Sequence, residues 1–301
     1  MPDVSVIIPT YNRAELLKRA IQSVLHQTYQ DFDIVVIDDA STDDIRGMVE
    51  SFNDDRIHYI RHGSNRGPSA SRNTGIRATK AKYIAFIDSD DEWLPEKLEK
   101  QLAIFETASE RVGVVYTAFW RIAEQGQTYF PWLNMSQRGG DIHDALMNEN
   151  FITTSVVVIR RDCFEKTGMF DEGFPMWEDW ELWIRVSKHY QFRFIDEALA
   201  KQYVTPNSIN TQRALTKSRA FTLMLEKHFE DIKKDRRLLA KYYLGIGHFM
   251  CLSGETREGR YYLVKAYTTY PFNIAYLGAA LISVFGQRIY GMVWEYFRGQ
   301  L

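Results

Sequence analysis

The feature that most constrains this chain is that two of its predicted β-strands end abruptly in acidic residues. One cluster follows an apolar run at 34–37 and the other an apolar run at 84–87; their members are Asp38, Asp39, Asp88, Asp90 and Asp91. Carboxylates this close together repel one another unless a cation or a ligand compensates them. Because open α/β sheets bind ligands at the carboxyl ends of their strands, the pattern predicts an α/β fold with its site at that edge.

Strand and helix patterns alternate through the first hundred residues. Short apolar runs predict strands near 4–8, 33–37, 56–61 and 82–87, with helices between them. This order indicates a mainly parallel sheet flanked by helices. Further strands are predicted at 112–122 and 155–159, which are rich in β-branched and aromatic residues.

Local signals predict how several of these elements begin. Asn12 is expected to cap the first helix, with Glu15 three residues on as its reciprocal partner. Asp91 is expected to cap the helix that follows Pro95. Residues 125–141 contain glycines, a proline and aromatics without clear periodicity, and are expected to form a loop or lid over the acceptor side.

The alternation stops near residue 206, and the remainder of the chain has helical periodicity. Helices are predicted in four stretches: 215–229, 236–252, 255–270 and 273–299. The sequence therefore predicts a catalytic domain over 1–205 and a C-terminal all-helical module over 206–301.

Composition narrows the class of protein. The 301 residues carry 37 basic and 39 acidic side chains, and a net charge of −2 offers no electrostatic case for a nucleic-acid partner. Cys163 and Cys251 are too few for a disulfide framework and suggest a reducing, cytoplasmic compartment. No signal peptide is apparent, and the longest apolar run, 274–285, is too short for a ~30 Å hydrocarbon core.

Five ordered segments identify a family. They read VSVIIPTYNR from Val4, VVIDDASTD from Val35, RGPSASRNTGI from Arg66, YIAFIDSDDEW from Tyr83 and WEDWELW from Trp177. Together they resemble the inverting family-two glycosyltransferases of the A-type, nucleotide-diphospho-sugar transferase fold. The match runs in order from Val4 to about Val204, and the last hundred residues match nothing comparably specific.

The resemblance implies a metal-dependent hexosyltransferase in glycan or polysaccharide biosynthesis. It would move a sugar from a nucleotide-diphospho-sugar, expected to be UDP-linked, to a hydroxyl of a glycan or lipid-linked acceptor. In the family, the acid after the second strand accepts a hydrogen bond from uracil, which places Asp39 on the base. The other nucleotide-binding residues that the resemblance implies are Pro9, Thr10, Tyr11, Arg13, Asp38, Arg66, Gly67, Asp88 and Ser89. The structural alternative for both Asp38 and Asp39 is that they start an Asx-type turn before the next helix.

The second acid cluster is expected to meet the metal. The resemblance gives Asp90 to Mn²⁺ or Mg²⁺, with Asp88 on the metal's water or on the ribose hydroxyls. The cation would neutralise charge on the departing diphosphate. No His or Cys lies in this segment, which argues against zinc.

The acids of the fifth segment supply the expected base. By the family pattern it is Asp179, with Glu178 as the fallback, while Trp177 and Trp180 could wall the sugar site. The structural alternative is an ordinary pair of acids at a helix N-terminus. Arg72 and Asn73 are expected to be structural.

Two other functions remain as alternatives. One is a haloacid-type phosphatase, because an acid pair after a strand also suits that nucleophile; the other is a non-catalytic scaffold that binds nucleotide sugars. The C-terminal helices, with an apolar face followed by Arg288 and Arg298, predict either peripheral contact with the inner face of the membrane or a homodimer.

Overall fold

The computed structural model describes residues 2–131, 138–204 and 214–298. Within them, nine strands form one sheet: β1 Val4–Thr10, β2 Phe32–Asp38, β3 Ile57–Arg61, β4 Tyr83–Phe86, β5 Glu92–Trp93, β6 Val112–Ala123, β7 Gly126–Phe130, β8 Val157–Arg160 and β9 Gln191–Tyr203. The order is β3-β2-β1-β4-β8-β6-β9-β5, with β7 paired to β6. The first four strands run parallel, and β8 then enters antiparallel to both β4 and β6.

The sheet carries the acid clusters at one edge because its strands stay in register. Thr10 at the end of β1 pairs with Asp38 at the end of β2, and Asp38 pairs with Arg61 at the end of β3. The fully buried residues of β1, β2 and β4 supply the core beneath this edge. The predicted α/β class, with helices flanking the sheet and a helical C-terminal region, is confirmed; the sheet is mixed, because β4–β8 and β8–β6 are antiparallel.

Seven helices accompany the sheet in the described residues: α1 Ala14–Leu25, α2 Ile45–Glu50, α3 Pro68–Ala78, α4 Lys97–Thr107, α5 His143–Asn148, α6 Asp162–Thr167 and α7 Glu178–Ser187. Helix α3 lies unusually close to β1. A Cβ at Gly75 would lie 2.5 Å from a methyl carbon of Ile7, so only glycine permits this approach. The approach places the side chains of α3 beside the strand ends.

Contacts divide the chain into two compact units. One comprises residues 1–172 and 178–205, and the other comprises 173–177 and 206–301. The second unit is helical, with α8 Ala214–Lys227, α9 Phe229–Ile232, α10 Arg236–Ser253, α11 Thr256–Thr269, α12 Ile274–Ile282 and α13 Gly286–Arg298. Within it α10 and α11 pack tightly, since a Cβ at Gly247 would lie 2.6 Å from the carbonyl oxygen of Gly259. Of the helices described, none combines the length and apolar character needed to cross a bilayer.

Three element predictions need correction. The first part of the expected 125–141 loop is strand β7, which pairs antiparallel with β6; residues 132–137 lie outside the described residues. The longest strand, β9, was not predicted, because its polar and charged residues break up any apolar run. The expected last helix, 273–299, is interrupted at 283–285 before Gly286, whose φ is +83°.

Two expected helix caps are also wrong. The backbone N–H of Ala14 is capped by Asp43 Oδ2 at 2.9 Å, while Asn12 instead accepts from the backbone of Thr42. Helix α4 begins after Glu96 without a side-chain cap, and the buried carboxylate of Asp91 accepts a hydrogen bond from Ser155 instead. In both cases hydrogen-bond partners from other loops take the place of the neighbouring residues that the sequence predicts as caps.

Candidate active site

The turn after β4 brings three carboxylates to the edge of the sheet. Asp88, Asp90 and Asp91 follow a fully buried strand, and Ser89 is buried between the first two. The N–H of Asp88 donates to Ser155 Oγ at 3.1 Å, and Ser155 Oγ donates to Asp91 Oδ2 at 2.5 Å. Ser155, just before β8, therefore holds both ends of the turn.

Asp90 is compensated from β1 and α1. Its carboxylate accepts from Arg13 Nη1 at 2.7 Å, and its backbone carbonyl accepts from Arg19 Nη2 at 2.5 Å. Burial, followed by the charge of Asp88, nevertheless raises the pKa of Asp90. The negative charge at this turn is only partly satisfied by the protein.

Asp91 has a structural place in the same turn. Burial and the charges of Asp88 and Asp90 raise the pKa of its carboxyl well above the usual range. This buried side chain fixes the turn through Ser155. Its role here replaces the expected cap of α4.

The acids after β2 are satisfied differently. Asp38 is fully buried and accepts from Ser41 N at 2.8 Å, Tyr59 Oη at 2.5 Å and Arg61 Nη1 at 3.2 Å. Burial would raise the pKa of Asp38, but the hydrogen bonds from Ser41 and Tyr59 outweigh it and lower the pKa. The geometry matches the Asx-type turn that the sequence left as an alternative.

Asp39 organises the loop before α3. It accepts from the backbone N–H groups of Arg66 (2.9 Å) and Gly67 (2.7 Å) and from His62 Nδ1 (2.7 Å). Gly67 has φ +86°, a conformation that favours glycine. Arg66 N also lies 3.1 Å from Asp39 Oδ2, so these three donors share the two carboxylate oxygens. A carboxylate has about four acceptor positions, which leaves room for one further donor such as a base N–H.

The end of β1 lies next to this group. The Asp39 N–H donates to the carbonyl of Thr10 at 2.9 Å, which joins the two strand ends. The hydroxyl of Thr10 is buried and has no hydrogen-bond partner, while Tyr11 is 45% exposed. Pro9 is partly exposed one residue earlier. A buried hydroxyl beside an exposed ring provides a polar contact and a stacking surface for a base.

Both turns carry backbone strain. Asn12 has φ +53° and Ala40 has φ +65°, which is the left-handed region that non-glycine residues seldom adopt. Hydrogen bonds hold them, since Asn12 N donates to Ser41 Oγ and Asn12 Oδ1 accepts from Thr42 N. Strain of this kind often concentrates where a loop must present groups to a ligand.

Helix α7 brings the second pair of acids. Asp179 Oδ1 accepts from its neighbour's backbone N–H (Trp180 N, 2.7 Å) and from Asn150 Nδ2 at 3.3 Å. Burial, and then the negative charge of Glu178, raises the pKa of Asp179 to about 7. Trp180 is buried, and its indole N–H donates to Leu146 O, so it anchors the helix instead of offering an open face to a sugar.

Arg72 on α3 joins the two acidic regions. Its Nη2 donates to Asp88 Oδ1 at 2.7 Å, and its Nη1 donates to Glu178 Oε1 at 2.6 Å. Burial would lower the pKa of Arg72, but Asp88 and Glu178 together raise it, so the side chain stays a cation. Asp88 of the fourth sequence segment and Glu178 of the fifth are thus joined in one group through Arg72. A second group lies at the same edge of the sheet and consists of Thr10, Asp39, Arg66 and Gly67.

The donor set suits a hard cation. Asp88 and Asp90 provide carboxylate oxygens, and the raised pKa of Asp90 indicates charge that a cation would relieve. Across the described residues, no group of three or more His, Cys, Asp and Glu side chains could hold a metal ion. Mg²⁺ commonly uses only one or two carboxylates and takes further ligands from substrate phosphates, so these two residues fit the group.

Sequence reasoning missed several residues of the site. His62 bridges Asp39 and Thr74, Ser155 holds the acid turn, and Asn150 contacts the expected base. Arg72 was expected to be structural. None of the three missed residues has a local motif, because each reaches a partner more than twenty positions away in the chain.

The family follows from a direct comparison. Residues 5–168, more than half of the chain, match the family model described as "Glycosyl transferase family 2". The chain belongs to glycosyl transferase family 2. Membership of this family does not favour either alternative function, the haloacid-type phosphatase or the non-catalytic scaffold that binds nucleotide sugars.

Relatives of this family-two chain include an uncharacterized glycosyltransferase and a glycosyltransferase with an assigned reaction. It is 36% identical over 199 residues to an uncharacterized glycosyltransferase of Rickettsia bellii, covering 66% of this chain and 28% of that protein. It is 30% identical over 186 residues to the Escherichia coli protein WfaP, a UDP-Glc:alpha-D-GlcNAc-diphosphoundecaprenol beta-1,3-glucosyltransferase, covering 61% and 69% of the two chains. The chain thus spans less than a third of the length of the Rickettsia bellii relative.

Solved structures show the fold. S. aureus TarS 1–349 in complex with UDP-GlcNAc matches with a TM-score of 0.71 at 17% identity, covering 99% of this chain and 92% of TarS 1–349. A mannosyltransferase from Pyrobaculum calidifontis in complex with GDP-Man and Mn²⁺ matches with a TM-score of 0.61 at 16% identity, covering 99% and 80%. This family-two chain has the A-type glycosyltransferase fold.

Proposed function

We propose that the protein transfers a sugar from a nucleotide-diphospho-sugar, UDP-linked, to an acceptor hydroxyl with inversion at the anomeric carbon. The observation that carries this proposal is the bridge through Arg72. It joins Asp88 of the acid turn to Glu178, the neighbour of Asp179, so that the donor side and the base side share one buried cation. Family membership supplies the reaction class.

Asp179 is the proposed general base. The acceptor oxygen forms a bond to the anomeric carbon, the bond from that carbon to the diphosphate oxygen breaks, and the acceptor proton passes to Asp179 Oδ. A carboxylate whose pKa is about 7 is a stronger base than an ordinary aspartate, and about half of it is ionised at pH 7. Glu178 is committed to Arg72, which favours Asp179 over Glu178 for proton removal.

The nucleotide is proposed to bind beside Thr10, Tyr11 and Asp39. The unpartnered Thr10 hydroxyl, the exposed Tyr11 ring and the remaining acceptor position of Asp39 together suit a uracil, whose N3–H lies between two carbonyls. The UDP-sugars named for TarS and WfaP support UDP, and the GDP-Man of the mannosyltransferase shows that this fold also accepts guanine.

Asp88 and Asp90 are the residues proposed to hold Mn²⁺ or Mg²⁺. When bound, the cation would neutralise charge on the diphosphate leaving group. Arg13, at 2.7 Å from Asp90, adds a positive charge on the same side. The Mn²⁺ of the mannosyltransferase complex supports this choice.

The acceptor is proposed to be a lipid-linked glycan, as in the WfaP reaction. The second unit has the surface for peripheral membrane contact, since residues 271–294 carry one charge, Arg288. Several large apolar side chains of this stretch are exposed: Phe272, Ile274, Leu281, Val284, Phe285 and Met292. Exposed apolar clusters mark membrane or protein contacts. A location at the cytoplasmic face stays a prediction.

Vesicle binding distinguishes membrane contact from a homodimer. Phe285→Ser and Leu281→Ser, compared with the parent chain, are expected to reduce co-sedimentation with anionic vesicles while the mass in solution stays that of a monomer. A dimer that these substitutions dissociate, without vesicle binding by the parent, would assign the surface to a second copy.

Turnover of a panel of UDP-, GDP- and other nucleotide sugars with Mn²⁺ tests the proposed function. We expect release of UDP from at least one UDP-sugar, and loss of that release in Asp179→Asn. Absence of turnover with every donor, or turnover that Asp179→Asn leaves unchanged, would overturn it.

A further inference from the structure

Arg72 occupies an unusual position for a charged residue. It lies on α3, is 5% exposed, and places its guanidinium between two carboxylates that are 90 residues apart in the chain. Its Nη2 also lies 3.5 Å from Thr154 Oγ1, which in turn lies 3.5 Å from Asp88 Oδ2. The guanidinium group of arginine is planar and rigid, so two carboxylates that bind its two terminal nitrogens have defined positions relative to each other.

The arginine is itself held in place. Its guanidinium carbon lies 5.4 Å from the centre of the Phe170 ring. The next residue, Asn73, fixes that aromatic residue by its backbone: Asn73 Nδ2 donates to Phe170 O at 2.9 Å, and Phe170 N donates to Asn73 Oδ1 at 3.0 Å. Helix α3 is in turn held close to β1 at Gly75. A rigid helix therefore presents Arg72 to the site.

The two partners of Arg72 serve different halves of the proposed reaction. Asp88 belongs to the turn that meets the diphosphate, and Glu178 is covalently next to the proposed base. In-line displacement requires the donor carbon and the base to be placed within a fraction of an ångström, and a 1 Å error can cost about a hundredfold in rate. Nothing else in the described residues hydrogen-bonds Asp88 and Glu178 at once.

We propose that Arg72 is a positioning residue that sets the acid turn and the N-terminus of α7 in register, so that donor and base are aligned for transfer. This inference rests on the proposed function for its kinetic consequence, and on the geometry alone for the coupling of the two segments. It predicts that alignment requires the two separate N–H donors of the guanidinium group, and not only its positive charge.

The test compares Arg72→Lys with Arg77→Lys. Both keep the charge on α3, but Arg77 is about half-exposed and lies 3.9 Å from Glu172. For Arg72→Lys we expect kcat to fall about a hundredfold while the donor KM and the Kd for UDP change less than about threefold. If Arg72 were needed only for folding, the substitution would lower the amount of active enzyme, without a fall in kcat per folded molecule at unchanged KM and Kd. Arg77→Lys should match the parent.

Hydrogen exchange gives a readout that does not depend on turnover. In Arg72→Lys the backbone amides of both 88–91 and 178–181 should exchange faster than in the parent, and in Arg77→Lys neither should. Unchanged kcat, or faster exchange in only one of the two segments, would overturn the proposal. If the parent turns over no nucleotide sugar, the proposed function fails, and the exchange data still decide the coupling.

Glu178→Gln keeps the test valid should Arg72→Lys not fold. It preserves the volume of the side chain and removes one of the two ion pairs. The coupling predicts faster exchange across 88–91, on the far side of Arg72, in this variant. Exchange there identical to that of the parent would contradict it.

Discussion

The two acidic turns look alike in sequence and differ in chemistry. After β2, the carboxylates of Asp38 and Asp39 accept hydrogen bonds from protein donors. The donors to Asp38 are Ser41, Tyr59 and Arg61. The donors to Asp39 are His62 and the backbone of residues 66–67. After β4, Asp90 keeps a raised pKa despite its contact with Arg13. An acid held by several internal hydrogen bonds shapes a pocket, whereas an acid whose charge is only partly compensated is suited to bind a cation. The same motif therefore predicts two different outcomes on mutation.

Asp90→Ala should produce the largest effect. We expect metal-dependent turnover to fall to the level of the parent in EDTA, because the substitution removes a proposed ligand in a partly buried turn after a strand and leaves the strand's own buried residues intact. Steady-state rates with and without Mn²⁺ check this, with the melting temperature as the control for folding. Full activity in the variant, or in parent treated with EDTA, would remove the metal from the account.

Asp179→Asn should follow. It removes the base with almost no change in volume, so kcat should fall roughly 10²–10⁴-fold while UDP affinity is retained. Rapid kinetics together with calorimetric titration of UDP measure the two quantities separately. Normal turnover in this variant combined with loss in Glu178→Gln would move the base by one residue.

Asp39→Ala should weaken UDP binding by about 1.5–3 kcal/mol, or roughly ten- to a hundredfold in Kd. Two causes act together, since the base would lose an acceptor and the Arg66–Gly67 loop would lose its anchor. Calorimetry with UDP and CDP measures both the loss and the expected relaxation of base preference. Unchanged UDP affinity would place the base pocket elsewhere.

Asp38→Asn should have the smallest effect on activity and act mainly on stability. Three hydrogen bonds to a fully buried carboxylate are disturbed, which should lower the free energy of unfolding by about 1–3 kcal/mol. Because the folded-state pKa is lowered, the stabilisation by this group is present above the unfolded pKa and is lost as the pH falls through the folded value. Urea denaturation at pH 7 and at a pH well below 3.8 measures this. A variant as stable as the parent that binds UDP poorly would reverse the comparison.

The fold was predictable where apolar runs are continuous. β1, β2 and β4 consist of buried residues, and each was predicted to within two residues at either end. β9 was missed because a strand interrupted by exposed polar residues, such as Asp196 and Glu197, resembles a loop in a single sequence. Its position depends on pairing with β6 across more than seventy residues.

The site was predictable only as far as its motifs reach. The acids after β2 and β4 and those of α7 were named from the sequence, but Asp91 pairs with Ser155 where a local cap was expected. Likewise Ala14 is capped by Asp43 from another loop. Capping rules describe isolated helices, and tertiary partners replaced them here. Arg72 shows the same limit, since its importance arises only when α3, β4 and α7 meet.

The pH dependence of kcat tests the account most directly. Burial and Glu178 raise the pKa of Asp179 to about 7, so the base is protonated and inactive below that pH and ionised above it. With UDP-sugar and acceptor at saturation, kcat of the parent should therefore rise with pH through about 7, and the residual rate of Asp179→Asn should lack this rise. A parent profile that is flat between pH 5.5 and 8.5, or the same rise in Asp179→Asn, would contradict the assignment of Asp179 as the base.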